Sequence, residues 1–224
     1  MKSTTYSYLA IVLILLTATA FANDTARLQV IHNAADPAAS VVDIYLDGEL
    51  LLDDFGFRKA TPFIDAPAEV ELEIGVAPSS SSSKEDIIAT IPVTLAKDET
   101  YVAIANGVLD PTQFVANPDG KDIGFTLFTK GGAREAGESM DNVDFFALHG
   151  ATDAPTVDVI ARDVATLVDD AAYGDLTDYI SVPAGEYVLD VTPGSDNETI
   201  VASFSADLSG LGGGAAVVFA SGFL

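Results

Sequence analysis

Cysteine and tryptophan are absent from this 224-residue chain, and histidine occurs only twice. Without cysteine there is no disulfide, no thiolate nucleophile and no cysteine-based zinc site, so core packing and strand pairing alone must hold the fold. Basic residues are scarce: ten Lys and Arg stand against 34 Asp and Glu, a net charge of −24. Such a surface repels nucleic acid and anionic lipid and gains nothing from counterion release at phosphates, so no nucleic-acid partner is expected. The acids are dispersed, which suits a protein kept soluble in a salty medium better than one built around a cluster of divalent ions. With no Trp to form a sugar-stacking platform, the seven Tyr and twelve Phe read as core residues.

Long apolar runs are missing as well, except at the start. Lys2 is the only charge before Asp24, and it precedes the apolar run Tyr8 to Leu16 and the small-residue end Ala20-Phe21-Ala22. This order reads as a secretory signal peptide over residues 1–22, cut before Asn23, and the run is too short to span a bilayer. Cleavage leaves nine basic and 34 acidic residues, a charge of −25. The expected product is exported to the periplasm or the extracellular space, with no transmembrane segment in the mature chain.

What the chain does have is repetition, the first thing to look for in a sequence of this size. Val30-Ile31-His32-Asn33-Ala34-Ala35-Asp36-Pro37 runs into Val42-Asp43-Ile44-Tyr45-Leu46-Asp47-Gly48, and Ala147-Leu148-His149-Gly150-Ala151-Thr152-Asp153-Ala154-Pro155 runs into Val157-Asp158-Val159-Ile160. Residues 60–68 align without gaps on 176–184, Asp53-Asp54 on Asp169-Asp170, and Tyr101–Leu109 on Ala216–Leu224. Offsets of 115 to 117 predict duplication of a whole domain rather than a solenoid of short repeats.

Within each repeat the apolar period is two. Val70, Leu72, Ile74 and Val76 alternate with Glu69, Glu71 and Glu73, a half-buried strand. In its counterpart Tyr187, Leu189 and Val191 face in while Glu186, Val188 and Asp190 face out. Asp47-Gly48 between Val42–Leu46 and Glu49–Leu52 is a type I′ hairpin signal, replaced in the second copy by Asp163-Val164. Further strands are expected near 27–32, 61–64, 87–93, 101–106 and 123–129, then near 143–149, 157–162, 166–168, 177–181, 186–191, 200–206 and 215–221. Short strands punctuated by Pro, Gly, Asp and Ser predict an all-β fold of two tandem antiparallel β-sandwich domains, immunoglobulin- or transthyretin-like. The expected division is 23–130 for the first sandwich, 131–142 for a polar, Gly-rich linker and 143–224 for the second. Each repeat is long enough to close its own core. The serine run Ser79–Ser83 reads as a solvated loop.

The stretch His149-Gly150-Ala151-Thr152-Asp153-Ala154-Pro155-Thr156-Val157-Asp158-Val159, with the later Tyr179-Ile180-Ser181-Val182-Pro183-Ala184-Gly185-Glu186-Tyr187, resembles the bacterial family catalogued as domain of unknown function 4397. Its pattern is close to H-x-S-P-D-A-P-x-V-D-V followed by Y-x-x-V-P-A-G-x-Y. The resemblance covers both repeats and implies exported β-sandwich domains, while implying almost nothing about activity. Thr152 departs from the pattern's first Pro. The first repeat has two extra residues before Val42 and lacks the Gly of P-A-G.

The candidates for chemistry are few. His32 and His149 occupy equivalent positions, and Asp36 and Asp153 follow them, so the loops after the two histidines are the candidate binding sites. Strand phase puts both rings at the end of a buried row, where a ring bonded to a loop carbonyl holds the following turn, and that structural role is the expected one. No G-x-S-x-G elbow, H-E-x-x-H or EF-hand spacing is present, so no enzyme, no catalytic residue and no cofactor are expected. Gly194–Glu198 and Asp119–Asp122 have oxygens suited to Ca²⁺ but read equally as ordinary turns. The reading reached is a non-catalytic structural or adhesive module that contacts an unidentified protein or glycan surface. The alternative is a Ca²⁺- or glycan-binding protein using the loops after His32 and His149.

Overall fold

Alternation becomes strand wherever the two sides of the chain meet different surroundings. In Glu71–Pro78, Leu72, Ile74 and Val76 are buried while Glu71 and Glu73 are exposed. The computed structural model describes residues 24–224, so the expected signal peptide lies outside the described residues. The chain is all-β. The first half supplies β1 (Thr25–His32), β2 (Val41–Leu46), β3 (Glu49–Gly56), β4 (Lys59–Ala60), β5 (Ile64–Pro67), β6 (Glu71–Pro78), β7 (Ala89–Thr94), β8 (Thr100–Asn106) and β9 (Thr126–Gly131). The second supplies β10 (Asn142–His149), β11 (Val157–Ala161), β12 (Ala165–Ala171), β13 (Ile180–Pro183), β14 (Glu186–Pro193), β15 (Ala202–Asp207) and β16 (Ala215–Ala220).

In the first half the sheet β4-β1-β8-β9, with β5 also on β1, faces the sheet β3-β2-β6-β7. Leu28, Val30, Leu72 and Leu95 form one part of the core between them, and Val42, Ile44, Ile74 and Val76 the other. In the second half β13-β10-β16 accompanies β12-β11-β14-β15. Pairing is antiparallel except at β1 with β8 and β10 with β16, which run parallel in the same relative place. The halves pack sheet against sheet: Ile31, Val102 and Ile104 meet Phe146 and Leu148, with Phe63, Phe128, Tyr179, Val217 and Phe219 around them. Phe146 is fully buried there.

Several boundaries differ from expectation for local reasons. Glu69 has φ +59° and Val70 is exposed, so the edge of the expected strand turns away and pairing starts at Glu71. Thr61–Phe63 lies between β4 and β5, where the buried Thr61 hydroxyl accepts from the Val30 N–H instead of joining a ladder. Leu176 makes only an isolated bridge to Leu148, so the strand expected from 177 begins at Ile180. Asp190, expected to face solvent, is buried because Arg162 and Ser203 cover its carboxylate. Asp47 (φ +50°) and Gly48 (φ +83°) make the expected two-residue turn, and the second copy uses the three-residue Arg162-Asp163-Val164 with Asp163 at φ +61°.

Residues 132–141 carry no strand yet are well held. Ala133 is buried in the core between the halves, and the Arg134 guanidinium lies 4.4 Å above the Tyr179 ring while pairing with Asp144 at 2.7 Å. Glu135 pairs with Arg27 at 2.8 Å. Among the described residues the second sandwich is more open than the first. Val159, Leu189 and Val191 are only half-buried and Val218 is exposed, because the edge of β16 away from β10 has no partner among the described residues.

Candidate functional site

The two histidines end β1 and β10, each at the last rung of a parallel ladder, His32 opposite Ala105 and His149 opposite Ala220. The strand phase buries them, and each ring then meets the carbonyl of the loop that follows. His32 Nε2 lies 2.7 Å from the Ala39 carbonyl, and its Nδ1 accepts from the Ala34 N–H at 3.3 Å. One ring nitrogen donates and the other accepts, so the neutral tautomer is the one that fits. Burial pushes the His32 pKa down, partly opposed by the bond to the Ala39 carbonyl. His149 repeats the arrangement with Nε2 3.0 Å from the Pro155 carbonyl, while its buried Nδ1 and the nearby Thr152 hydroxyl have no partner.

The aspartates that follow are tied to backbone. Buried Asp36 accepts from the Ala38 N–H through one oxygen and from the Leu109 N–H through the other, both at 2.8 Å. Asp153 accepts from the Leu224 N–H at 2.9 Å. Neither histidine is bonded to a carboxylate, so no His–Asp dyad forms.

The two loop starts do meet. Asn33 Nδ2 donates to Asn106 Oδ1 at 2.7 Å, and Asn106 Nδ2 donates to the Gly150 carbonyl at 3.0 Å and lies 3.1 Å from the Tyr173 hydroxyl. A Cβ on Gly150 would stand 2.6 Å from Asn33 Nδ2, so only glycine lets the halves approach this closely. Burial raises the Tyr173 pKa. This junction of amides is a buried structural contact, and Asn33, Asn106 and Tyr173 were not singled out from the sequence, because a single Asn carries no periodicity.

The repeated acid pairs also find an explanation. Asp54 (φ +53°) and Asp170 (φ +52°) sit at bulges in β3 and β12, and their N–H groups donate to buried Asp43 Oδ1 (3.0 Å) and Asp158 Oδ1 (2.6 Å). Asp43 also accepts from Ser81 Oγ at 2.5 Å, whereas Asp158 Oδ2 is buried without a partner. The oxygens of Asp43, Asp53 and Asp54 converge within 4.8 Å, a metal-compatible grouping that the bulge itself accounts for. The other candidate Ca²⁺ turns are closed by their own hydrogen bonds: Asp119 accepts from the N–H and hydroxyl of Thr156, Asp122 from the Gly124 N–H, and Asp196 from the Glu198 N–H and the Thr199 hydroxyl.

A large concave feature adjoins the two histidines, and its lining includes His32 and Asn33 of the first half and His149, Ala154 and Pro155 of the second. Along the unpaired edge of β16 runs a cleft of about 1140 Å³. One wall is the interior of the second sandwich, with Val159, Leu189, Val191, Phe204 and Val218; the other reaches the first half at Ile31 and Phe63. Phe204 is 59% exposed although it sits opposite Leu189 on the inner side of β14 and β15.

Fold and site together define a two-sandwich β protein whose repeated polar signature builds turns and whose open surface is apolar. Residues 146–222 match the model of the family described as domain of unknown function (DUF4397). No curated protein matches the chain. Among solved structures, one described as alpha-glucan recognition by family 41 carbohydrate-binding modules from streptococcal virulence factors is 10% identical, covers 87% of this chain and 94% of its own, and has a TM-score of 0.27. A second, described as alpha-glucan binding by a streptococcal virulence factor, is 9% identical, covers 86% and 92%, and has a TM-score of 0.23. Likeness at that level says nothing about what this chain binds. Among the described residues no helix is long and apolar enough to cross a membrane.

Proposed function

We propose that this protein is an exported, non-catalytic interaction module of the envelope or extracellular space that acts by surface contact, in a structural or adhesive role. The observation that carries the reading is the pairing of an open apolar cleft of about 1140 Å³ with polar signature residues already engaged in holding loops. A general base must reach a substrate proton; both rings border the cleft, but each is buried and its Nε2 is taken up by a carbonyl of its own loop. An apolar concavity of this size is instead the usual form of a recognition surface. Export is supported by the charge and small-residue pattern of residues 1–22. The strong net negative charge favours contacts with neutral or basic surfaces.

The test is to immobilise the protein and pass purified envelope proteins, peptidoglycan and polysaccharide over it, beside a broad hydrolase screen. Saturable binding that survives His149→Gln but is lost in Phe204→Asp is the expected result. Turnover that disappears in His149→Gln would refute the reading.

A further inference from the structure

The two bulges carry the same buried aspartate and complete it differently. In the first half Asp43 is saturated: Oδ1 accepts from the Asp54 N–H and Oδ2 from the Ser81 hydroxyl, which also meets the Tyr45 hydroxyl at 2.8 Å. In the second half Asp158, 1% exposed, receives only the Asp170 N–H, on Oδ1, and its Oδ2 has no partner. Two replacements account for this. The Ser81 N–H closes a turn onto the Pro78 carbonyl at 2.8 Å, and the Asp196 N–H closes the same turn onto the Pro193 carbonyl at 2.9 Å, so an acid stands where the first half has a hydroxyl donor. The Asp196 oxygens are turned to the Glu198 N–H and the Thr199 hydroxyl. Across the ladder, Ala77 opposite Asp43 gives way to Thr192 opposite Asp158, and the Thr192 hydroxyl is itself fully buried without a partner.

Directly opposed residues of a ladder point to one face, so Asp158 and Thr192 share a face of the sheet. A third group reaches them. Asp170 Oδ1 lies 2.6 Å from the point that a Cβ on Gly194 would occupy, so the Asp170 carboxylate extends from β12 over β11 to the end of β14, and glycine leaves it the room. No ion pair among the described residues involves Asp158 or Asp170. A buried carboxylate oxygen without donor or counter-charge is costly, and the hydroxyl opposed to it adds a further oxygen without bonding to it.

We propose that this face of the second sandwich is a Ca²⁺ site, held by Asp158 Oδ2 and Thr192 Oγ1 and closed by the Asp170 carboxylate, with water completing the shell. Two carboxylates call for a divalent ion, and an irregular mixture of carboxylate, hydroxyl and water oxygens suits Ca²⁺ better than Mg²⁺, which demands near-octahedral geometry. The net charge of −24 raises the cation concentration around the chain. At the first bulge three acids converge, but Asp43 is already satisfied by Asp54 and Ser81, so that grouping is not the site. The bound ion ties the bulge of β12 to β14 and does for the second half what Ser81 does for the first.

The test takes the whole protein, stripped with EDTA and dialysed, and titrates it with CaCl₂ by calorimetry. One ion per chain is expected, with a Kd between about 10⁻⁵ and 10⁻³ M. At ten times that Kd, thermal unfolding should shift upward by about 3–6 °C. Asp158→Asn and Thr192→Val are each expected to weaken Ca²⁺ binding by about tenfold or more and to lose the thermal shift. Asp53→Asn, which removes the same charge from the first bulge, should leave both unchanged. In EDTA, Asp158→Asn is expected to unfold like the unmodified protein, which separates a lost ligand from a lost fold. Amide resonances that move on titration should centre on Asp170, Thr192 and Gly194. Heats that do not saturate by about 10 mM Ca²⁺ overturn the proposal, as does binding that survives Asp158→Asn. An equal loss in Asp53→Asn also overturns it, because the ion is then drawn to acidic surface in general.

Discussion

The two sandwiches use the same strand grammar and reach different degrees of closure. Val76 in β6 and Val191 in β14 sit at matching rungs, opposite Ile44 and Val159, yet Val76 is 2% exposed and Val191 is half-buried. The inner sequence is apolar in both, so side-chain chemistry does not explain the difference. One neighbouring strand does. β9 adds the rung that seals the first sandwich, and the corresponding edge of the second has no strand on it among the described residues. Burial in a sheet protein is thus set by whether the next strand is present as much as by the alternation of the strand itself.

The sharpest way to break that comparison is to truncate matching core positions. Ile74 pairs with Leu46 and Leu189 with Ala161, each on the inner face of its sheet. Ile74→Ala leaves a void in a closed core and is expected to cost about 2–5 kcal/mol. Leu189→Ala removes a side chain that water already reaches, and about 1 kcal/mol or less is expected. Urea unfolding of both variants measures it. Equal losses would mean that the second sandwich is closed in solution.

Gly150 sharpens the comparison at the junction of the halves. Its counterpart in the first half is Asn33, whose side chain reaches across to Asn106. Gly150→Ala puts a methyl 2.6 Å from Asn33 Nδ2 and 2.8 Å from the Ala220 carbonyl, so the loops must part, and a loss of about 1–3 kcal/mol is expected. Thermal unfolding reads the size of the effect. A neutral result would show that the halves are not held together through this contact.

A smaller difference is expected at the buried aspartates. In Asp43→Asn the oxygen that serves the Asp54 N–H can be kept, but the carboxylate that accepts from Ser81 is lost, and about 1 kcal/mol of destabilisation follows. In Asp158→Asn the oxygen serving the Asp170 N–H is likewise kept while an unpartnered buried oxygen is replaced, so the change is expected to be neutral or slightly stabilising. Denaturation midpoints of the pair measured side by side settle the order, and a larger loss at Asp158 would reverse the account.

Much of the architecture was legible because it is written in alternation. The burial of Leu72, Ile74 and Val76, the turn at Asp47-Gly48 and the burial of both histidines follow from strand phase, which is local. The role of the histidines as loop anchors followed too, since a buried ring at a strand end meets the carbonyls of the next turn. What was not legible depends on neighbours distant in sequence. Asp190 is buried only because Arg162 and Ser203 come from flanking strands. Asp53-Asp54 and Asp169-Asp170 stand in the sequence only as aligned acid pairs, and their use as bulge residues becomes visible only when Asp43 and Asp158 are placed across the ladder. The openness of the second core was hidden for the same reason, because Val218 and Phe204 have inward phase but lack the strand that would cover them.

The smallest effect concerns pH and tests whether His32 is held as the structure holds it. Burial lowers its pKa from the usual imidazole value of about 6.5. A base whose folded pKa lies below its unfolded one binds fewer protons in the folded state, so its contribution to stability is fully present above about pH 6.5. That contribution is lost as pH falls from there through the lowered folded value, where the unfolded chain takes up a proton that the buried ring resists. The ring resonances of His32 are therefore expected to titrate below the usual imidazole value, and His32→Gln should flatten the fall in stability below about pH 6.5 relative to the unmodified protein. A His32 titration centred at or above the usual value would show a ring open to solvent, and with it a first loop as loosely sealed as the second sandwich.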